Sequence, residues 1–284
     1  MPILAISLLI GSAFLHAAWN LLLKQTAEKY IAIWWSTLLA SAIFLPFLVF
    51  TGLPAREVWL LLFASVLVEA GYYIVLTTAY READFSLVYP LARGTSPALI
   101  ATWSVLFLSE KLTVGGMFGL GIIIFGLLIV GGANLFNRSG EKPQLRGIFL
   151  ALTLALLISI YSVIDGLAMK HTAAFPYAVL IFLGPPILTS PLMFRLFGWD
   201  LLKKQLTVNG FRLVAIGLLI VFAYMLVLLV FTIAPVSYSG AVREFSVVLG
   251  ALAGWRFLGE KLGGLRAIGS IVIFVGILVI AMFG

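Results

Sequence analysis

Apolar residues run along this chain in long unbroken stretches, and polar residues are confined to short punctuation between them. Neither the alternation of a half-buried strand nor the one-sided periodicity of a soluble helix is sustained. A helix crosses the roughly 30 Å hydrocarbon core of a bilayer with about 20 residues, and the stretches have that length. The pattern predicts ten membrane-spanning helices, at 2–23, 30–51, 57–79, 85–108, 112–132, 146–169, 175–197, 211–233, 236–258 and 263–283. Transmembrane strands are excluded, since they need only about ten residues of alternating hydrophobicity. The first stretch has no basic n-region and no small-residue cleavage site, so it is expected to be a mature helix. The longest connections, Gly132–Leu145 and Gly198–Gly210, are too short for a soluble domain.

Composition sharpens this reading. Of 284 residues, 63% are hydrophobic and 10% charged, far from the near-half apolar and quarter charged make-up of soluble domains. A soluble enzyme and a disordered chain are both excluded. There is no cysteine, which removes disulfides, iron–sulfur clusters and thiol catalysis. With two histidines, a transition-metal site is not expected. No P-loop, HExxH or GxSxG is present, so neither an enzyme nor a cofactor is predicted. The formal charge of +7 is read as basic residues at helix ends facing the lipid bilayer, not as a nucleic-acid surface.

The chain repeats itself. Setting Glu110-Lys111-Leu112 on Glu260-Lys261-Leu262 places Arg93 on Arg243, Ser96 on Ser246, Gly119 on Gly269 and Gly126 on Gly276. Tyr73 meets Tyr224 one residue out of that register. Two five-helix repeats, 1–134 and 135–284, are expected. An odd number of spans per repeat sets the second upside down, the arrangement of secondary transporters with a site near the midplane. The predicted fold class is therefore all-α, a polytopic membrane protein of ten transmembrane helices built from two inverted five-helix repeats.

The residues Ala79 to Gly94, followed by Ser96-Pro97 and then Leu108-Ser109-Glu110-Lys111-Leu112, resemble the EamA family of the drug/metabolite transporter superfamily. The stretch from Ala234-Pro235 to Gly259-Glu260-Lys261-Leu262 resembles the same module. His16-Ala17-Ala18-Trp19-Asn20 and Tyr89-Pro90-Leu91-Ala92-Arg93-Gly94 are similar to a subset found near phosphonate-utilisation genes. The resemblance implies ten helices, alternating access and a small-molecule substrate, in the inner cell membrane.

Five ionisable residues fall well inside spans: Glu69, Arg93, Asp165, Arg243 and Glu244. A charge at the bilayer centre costs at least about 3 kcal/mol on insertion scales, so each faces a cavity or a partner. Arg93 lies roughly 12 Å into its helix at 1.5 Å per residue. Ser86, Tyr89, Arg93 and Ser96 share one helix face, and Val236, Ser239, Arg243 and Ser246 take the equivalent places. Pro90, Gly94 and Pro97 are expected to interrupt span 4. The two arginines either bind an anionic substrate group, as guanidinium forks do, or pair with Glu69, Glu244 or Asp165. Glu69 shares its face with Tyr72 and Tyr73. It is a proton carrier, a site for a substrate ammonium, or a counter-ion for Arg93. Asp165 is placed near the end of span 6, where charge is cheap. On span 1, Trp19 and Asn20 are substrate candidates by the family resemblance, and His16 is read as an interhelical hydrogen bond. Tyr80, Tyr224 and Tyr238 are weaker candidates.

The expected function is a secondary active transporter, proton-coupled, of a small anionic or zwitterionic metabolite such as an amino acid or aminoalkylphosphonate. The alternatives are a carrier for a lipid-linked phosphate and a cationic drug exporter. Glu110-Lys111 and Glu260-Lys261 are expected to be fold elements. Gly115/Gly119, Gly250/Gly254 and the heptad-spaced Gly119/Gly126 and Gly269/Gly276 permit close helix approach, within a monomer or along a homodimer seam. Pro185, Pro186 and Pro191 are expected to bend span 7. Basic residues in the connections crowd the side opposite the termini, which places the termini outside by the positive-inside rule; the family resemblance implies the reverse.

Overall fold

The computed structural model describes residues 1–82, 85–132, 145–249, 252 and 264–284. Among them there are helices, turns and short connections, and no strand. This is the outcome that lipid enforces, because a helix satisfies all its backbone groups internally. Among the described residues six helices are long and apolar enough to cross a membrane, and two shorter apolar ones join them.

Helix α1 is Ile3–Lys24 and α2 is Lys29–Phe44. Pro46 tightens the chain into a 3-10 turn at Leu45–Phe47 before the short α3, Leu48–Thr51, which stops at Gly52 with φ +78°. Then follow α4, Trp59–Glu82; α5, Phe85–Leu108; α6, Val114–Gly132; and α7, Leu145–Ala168. Helix α8 spans Ala174–Phe231. At 58 residues it would be ~87 Å long if straight, far more than one crossing. It divides at Gly198, whose φ of 67° and ψ of 159° are non-helical. Helix α9, Val236–Arg243, is followed by a helical stretch at 245–249, and α10, Gly264–Phe283, ends the described fold.

Three expectations are corrected. Span 4 is not interrupted: α5 runs unbroken through Pro90, Gly94 and Pro97, as buried membrane helices can tolerate proline. The break falls instead in the equivalent helix of the second repeat, which has no proline there. Helix α9 ends at Arg243, and Glu244 sits in a tight turn whose N–H donates to Ala241 O and whose carbonyl accepts from Val247 N–H. Pro185, Pro186 and Pro191 keep helical dihedrals, and the bend is made by Gly198. Finally, 199–210 is helical rather than a loop. Leu202 is buried there while Lys203 and Lys204 are exposed, an amphipathic pattern built from good helix formers, and Trp35 Nε1 donates to Leu202 O at 3.0 Å.

Helices α6 and α10 meet backbone to backbone. A Cβ on Gly119 would lie 3.0 Å from Gly276 O, and one on Gly126 would lie 2.9 Å from Gly269 O. Gly115 faces Phe283 at the other end, so the two helices run antiparallel. The glycines at equivalent positions of the two repeats thus face each other crosswise within one chain. Gly250 and Gly254 lie outside the described residues.

The repeats are also stitched at the end of α5. The Glu110 carboxylate accepts the N–H groups of Val236 and Ser237 at 2.6 and 3.1 Å and the Ser237 hydroxyl at 2.6 Å. It therefore satisfies the free donors at the start of α9. Tyr238 OH accepts the Thr113 N–H at 2.9 Å, which gives that tyrosine a structural place. Glu260 and Lys261 lie outside the described residues.

Candidate functional site

A cavity of about 100 Å³ opens between the helices near the middle of the chain's polar stripes. Helix α1 gives it Ser12, His16 and Trp19, spaced to share one face. Helix α4 gives Glu69, Tyr72, Tyr73 and Leu76, the same face that the sequence pattern marks out. Arg93 comes from α5, Tyr161 from α7 and Arg243 from α9. The two halves of α8 close it with Phe182 on one side and Ile220, Ala223, Tyr224 and Val227 on the other.

Repeat-equivalent residues line the cavity in pairs: Arg93 with Arg243, and Tyr73 with Tyr224. The two arginines are in different states. Arg93 is bound on both sides. Its Nη1 donates to Glu244 Oε1 at 3.0 Å and to Oε2 at 3.3 Å, and its Nη2 contacts His16 Nε2 at 2.9 Å. A guanidinium only donates, so His16 Nε2 accepts and the ring carries its proton on Nδ1. Arg243 is 4% exposed, and neither its Nε nor its Nη2 has a hydrogen-bond partner among the described residues. Glu244 Oε1 lies 3.9 Å from Arg243 Nη2, beyond hydrogen-bond reach. Glu244 itself is fully buried and off the cavity wall. It neutralises both arginines from behind, which needs the turn at 244.

Glu69 is 5% exposed and its Oε2 is also without a hydrogen-bond partner among the described residues. The cavity thus carries an unsatisfied cationic fork and an unsatisfied carboxylate oxygen. Aromatic rings join them. Tyr72 packs on Tyr73 and Tyr161, with centroids 5.5 and 6.2 Å apart, and Tyr224 packs on Tyr161 and Phe182 at 6.3 and 5.5 Å. His16 and Trp19 meet edge to face at 4.7 Å. Ring faces of this kind attract ammonium groups.

Asp165 is buried completely, although it lies one turn from the end of α7, so the expectation of a cheap terminal charge is corrected. Three hydroxyls converge on it. Ser65 Oγ and Tyr177 OH donate to Oδ1 at 2.6 and 2.7 Å, and Tyr224 OH donates to Oδ2. Tyr224 also faces the cavity, so Asp165 stands one side chain behind the wall.

The other sequence candidates divide. Trp19, Tyr72 and Tyr73 reach the cavity. Asn20 does not, because its Nδ2 turns back to His16 O at 2.8 Å. The side chains of Tyr89 and Tyr80 lie outside the described residues. His16 makes the interhelical hydrogen bond its sequence reading expects, with Arg93, and also lines the cavity. Tyr161, Phe182 and Tyr224 were missed or underweighted; the register that matches Tyr224 to Tyr73 is the signal that points to one of them. No group of three or more His, Asp or Glu residues that could hold a metal occurs among the described residues.

Comparison with known proteins bears on this arrangement. The model of the EamA-like transporter family matches the chain twice, over residues 3–132 and 145–282. A protein of Bacillus subtilis (strain 168) described as the uncharacterized transporter YwfM is 25% identical over 228 residues, covering 78% of this chain and 73% of its own length. A solved crystal structure superposes with a TM-score of 0.77 at 18% identity, covering 98% of this chain and 96% of that one; at that identity it speaks for the fold alone.

Proposed function

We propose a substrate class for a chain that belongs to the EamA-like transporter family and is thus a multi-pass membrane transporter, not an enzyme: a small zwitterion, carried by alternating access. Its acidic group binds Arg243 and its ammonium group binds Glu69. The observation that carries this reading is the pair of buried, unsatisfied groups on one cavity wall, Arg243 Nε and Nη2 and Glu69 Oε2. A buried polar group without a partner costs about 1–3 kcal/mol, and more when charged. A ligand that satisfies both ends recovers that cost, and a ligand with only one charge leaves the other end bare.

In this reading Arg93 is not a ligand fork. Held by Glu244 and His16, it ties α1 and α5 of the first repeat to the turn after α9. The tyrosines and Trp19 shape the cavity and face the ammonium group. Amino acids and aminoalkylphosphonates both have the required pair of charges. Protons drive the carrier, with Glu69 and Asp165 as the buried carboxyl groups available to hold one. The second repeat is inverted as a whole, as the antiparallel pairing of α6 with α10 supports, and the protein resides in the inner membrane.

The test is ligand-induced thermal stabilisation of the purified protein, wild type against Arg243→Gln, with amino acids, aminoalkylphosphonates, simple carboxylates and quaternary amines. A ligand of the folded state raises the melting temperature according to its concentration over its Kd. Zwitterions are expected to stabilise the wild type and not the variant. Stabilisation by quaternary amines alone would overturn the reading in favour of a cation exporter.

A further inference from the structure

A second cavity of about 40 Å³ lies beside the first, between α2, α4 and the first half of α8. The two share three wall residues, Ile33, Tyr73 and Leu76, so they are adjoining chambers. The second chamber is apolar, lined by Leu192, Met193 and Phe197 among others. Its rim includes Ile74 and Leu196, which are 44% and 47% exposed on the outer, lipid-facing side of the bundle.

Three of the chamber's polar side chains are spent on backbone carbonyls. Trp34 Nε1 donates to Pro186 O at 2.8 Å, Thr37 Oγ1 to Ile33 O at 3.0 Å, and Thr189 Oγ1 to Pro185 O at 2.8 Å. A polar ligand group entering here loses water and finds little in exchange, which is unfavourable. A hydrocarbon group loses nothing. At roughly 10–15 Å³ of such volume per water-sized group, the chamber holds about three or four methylenes, and the charged cavity about seven to ten heavy atoms.

We infer that the substrate is an amphiphile: a zwitterionic head held in the charged cavity, with an unbranched apolar arm of about three or four carbons passing Tyr73 and Leu76 into the side chamber. The inference rests on the zwitterion reading of Arg243 and Glu69 and adds the part of the substrate that those residues do not touch. Tyr73 stands at the junction and separates the two environments. Ligand pockets commonly combine an apolar wall with a few convergent polar groups in this way.

The experiment is a chain-length series, glycine, alanine, 2-aminobutyrate, norvaline and norleucine, titrated against the full-length protein in detergent. Wild type is compared with Leu192→Trp, which fills the side chamber. In the wild type Kd is expected to fall by about three- to fourfold per methylene over the arm. In Leu192→Trp the slope is lost, while glycine and alanine, too short to reach the chamber, keep their affinity. If Leu192→Trp does not fold, Thr189→Leu provides a smaller filling, with a shallower slope expected. A wild-type Kd that stays flat or rises along the series, with short members that still require Arg243, overturns the side-chamber inference and leaves the zwitterion site standing. An unchanged slope in the filled variants places the arm elsewhere and also overturns it. If no member of the series binds, the zwitterion reading falls and takes this inference with it.

Discussion

Arg93 and Glu244 meet at 3.0 Å across the boundary between the two repeats, both almost entirely buried. The contact joins the middle of an unbroken helix in one half to the turn that breaks the equivalent helix in the other. Replacing a buried pair with apolar groups is often neutral, whereas removing one partner leaves a bare charge and costs about 3–5 kcal/mol. Glu244→Gln is therefore expected to lower the melting temperature sharply, since it strips Arg93 of its partner and leaves Arg243 without its neighbour. The double variant Arg93→Met, Glu244→Gln should recover part of the loss. Thermal melting of the four proteins checks it; additive losses would show that the pair is not coupled.

Arg243 is expected to behave differently. Its fork is not consumed by the fold, so Arg243→Gln should leave the melting temperature of the ligand-free protein near that of wild type. Zwitterion affinity should fall by about 10- to 100-fold, the value of one hydrogen-bonded charge. Arg243→Lys should restore charge but not the two-pronged geometry, and so restore only part of the binding. Equilibrium titration of the three proteins separates these outcomes.

Variants of Asp165 and Glu69 test proton coupling separately from binding. Asp165→Asn keeps the shape and an oxygen for Ser65 and Tyr177 but cannot exchange a proton. If Asp165 is the proton carrier, proteoliposomes with this variant should lose uptake driven by a pH gradient while retaining exchange of internal for external substrate. Glu69→Gln should lose both, because Glu69 lies on the cavity wall. The reverse pattern would move the proton to Glu69.

Gly217 is a packing position. A Cβ there would stand 2.0 Å from Ser36 O, a backbone atom that cannot swing aside. Gly217→Ala is expected to force α8 away from α2 at about 1–3 kcal/mol. Gly121→Ala has open space around its new methyl and should be neutral or slightly stabilising, because alanine favours the helix. Paired melting curves distinguish the two.

The spans were legible because lipid permits few alternatives: long apolar runs without charge become helices wherever they occur. The repeat was legible because Glu110-Lys111-Leu112 recurs and carries Arg93 onto Arg243. What escaped was local and relational. Proline at 90 and 97 marks a break in water, yet the helix there is unbroken and its equivalent, without proline, breaks at Glu244. A turn that brings one carboxylate behind two arginines is a tertiary solution with no local propensity to signal it. Asp165 looks like a terminal charge along the chain, and only the fold brings Ser65, Tyr177 and Tyr224 to it from α4 and α8. Nor could sequence say which arginine is tied down, because Arg93 and Arg243 occupy equivalent positions.

The glycine contact between α6 and α10 limits how this carrier can change shape. Where Gly119 meets Gly276 and Gly126 meets Gly269, the backbones approach closely, and the side chains of Ile280, Ile273, Ile123 and Val130 fill the space beside them. Such a joint has little slack to open, and pivoting about it is the motion to expect. The two repeats are thus held closely at α6 and α10, and again where Gly217 of α8 meets the Ser36 carbonyl of α2, so a swing between outward and inward openings is expected to work around these contacts, with α1, α4 and the two halves of α8 moving about the cavity. A covalent crosslink between α6 and α10 would leave transport running, and the same crosslink across the cavity would stop it.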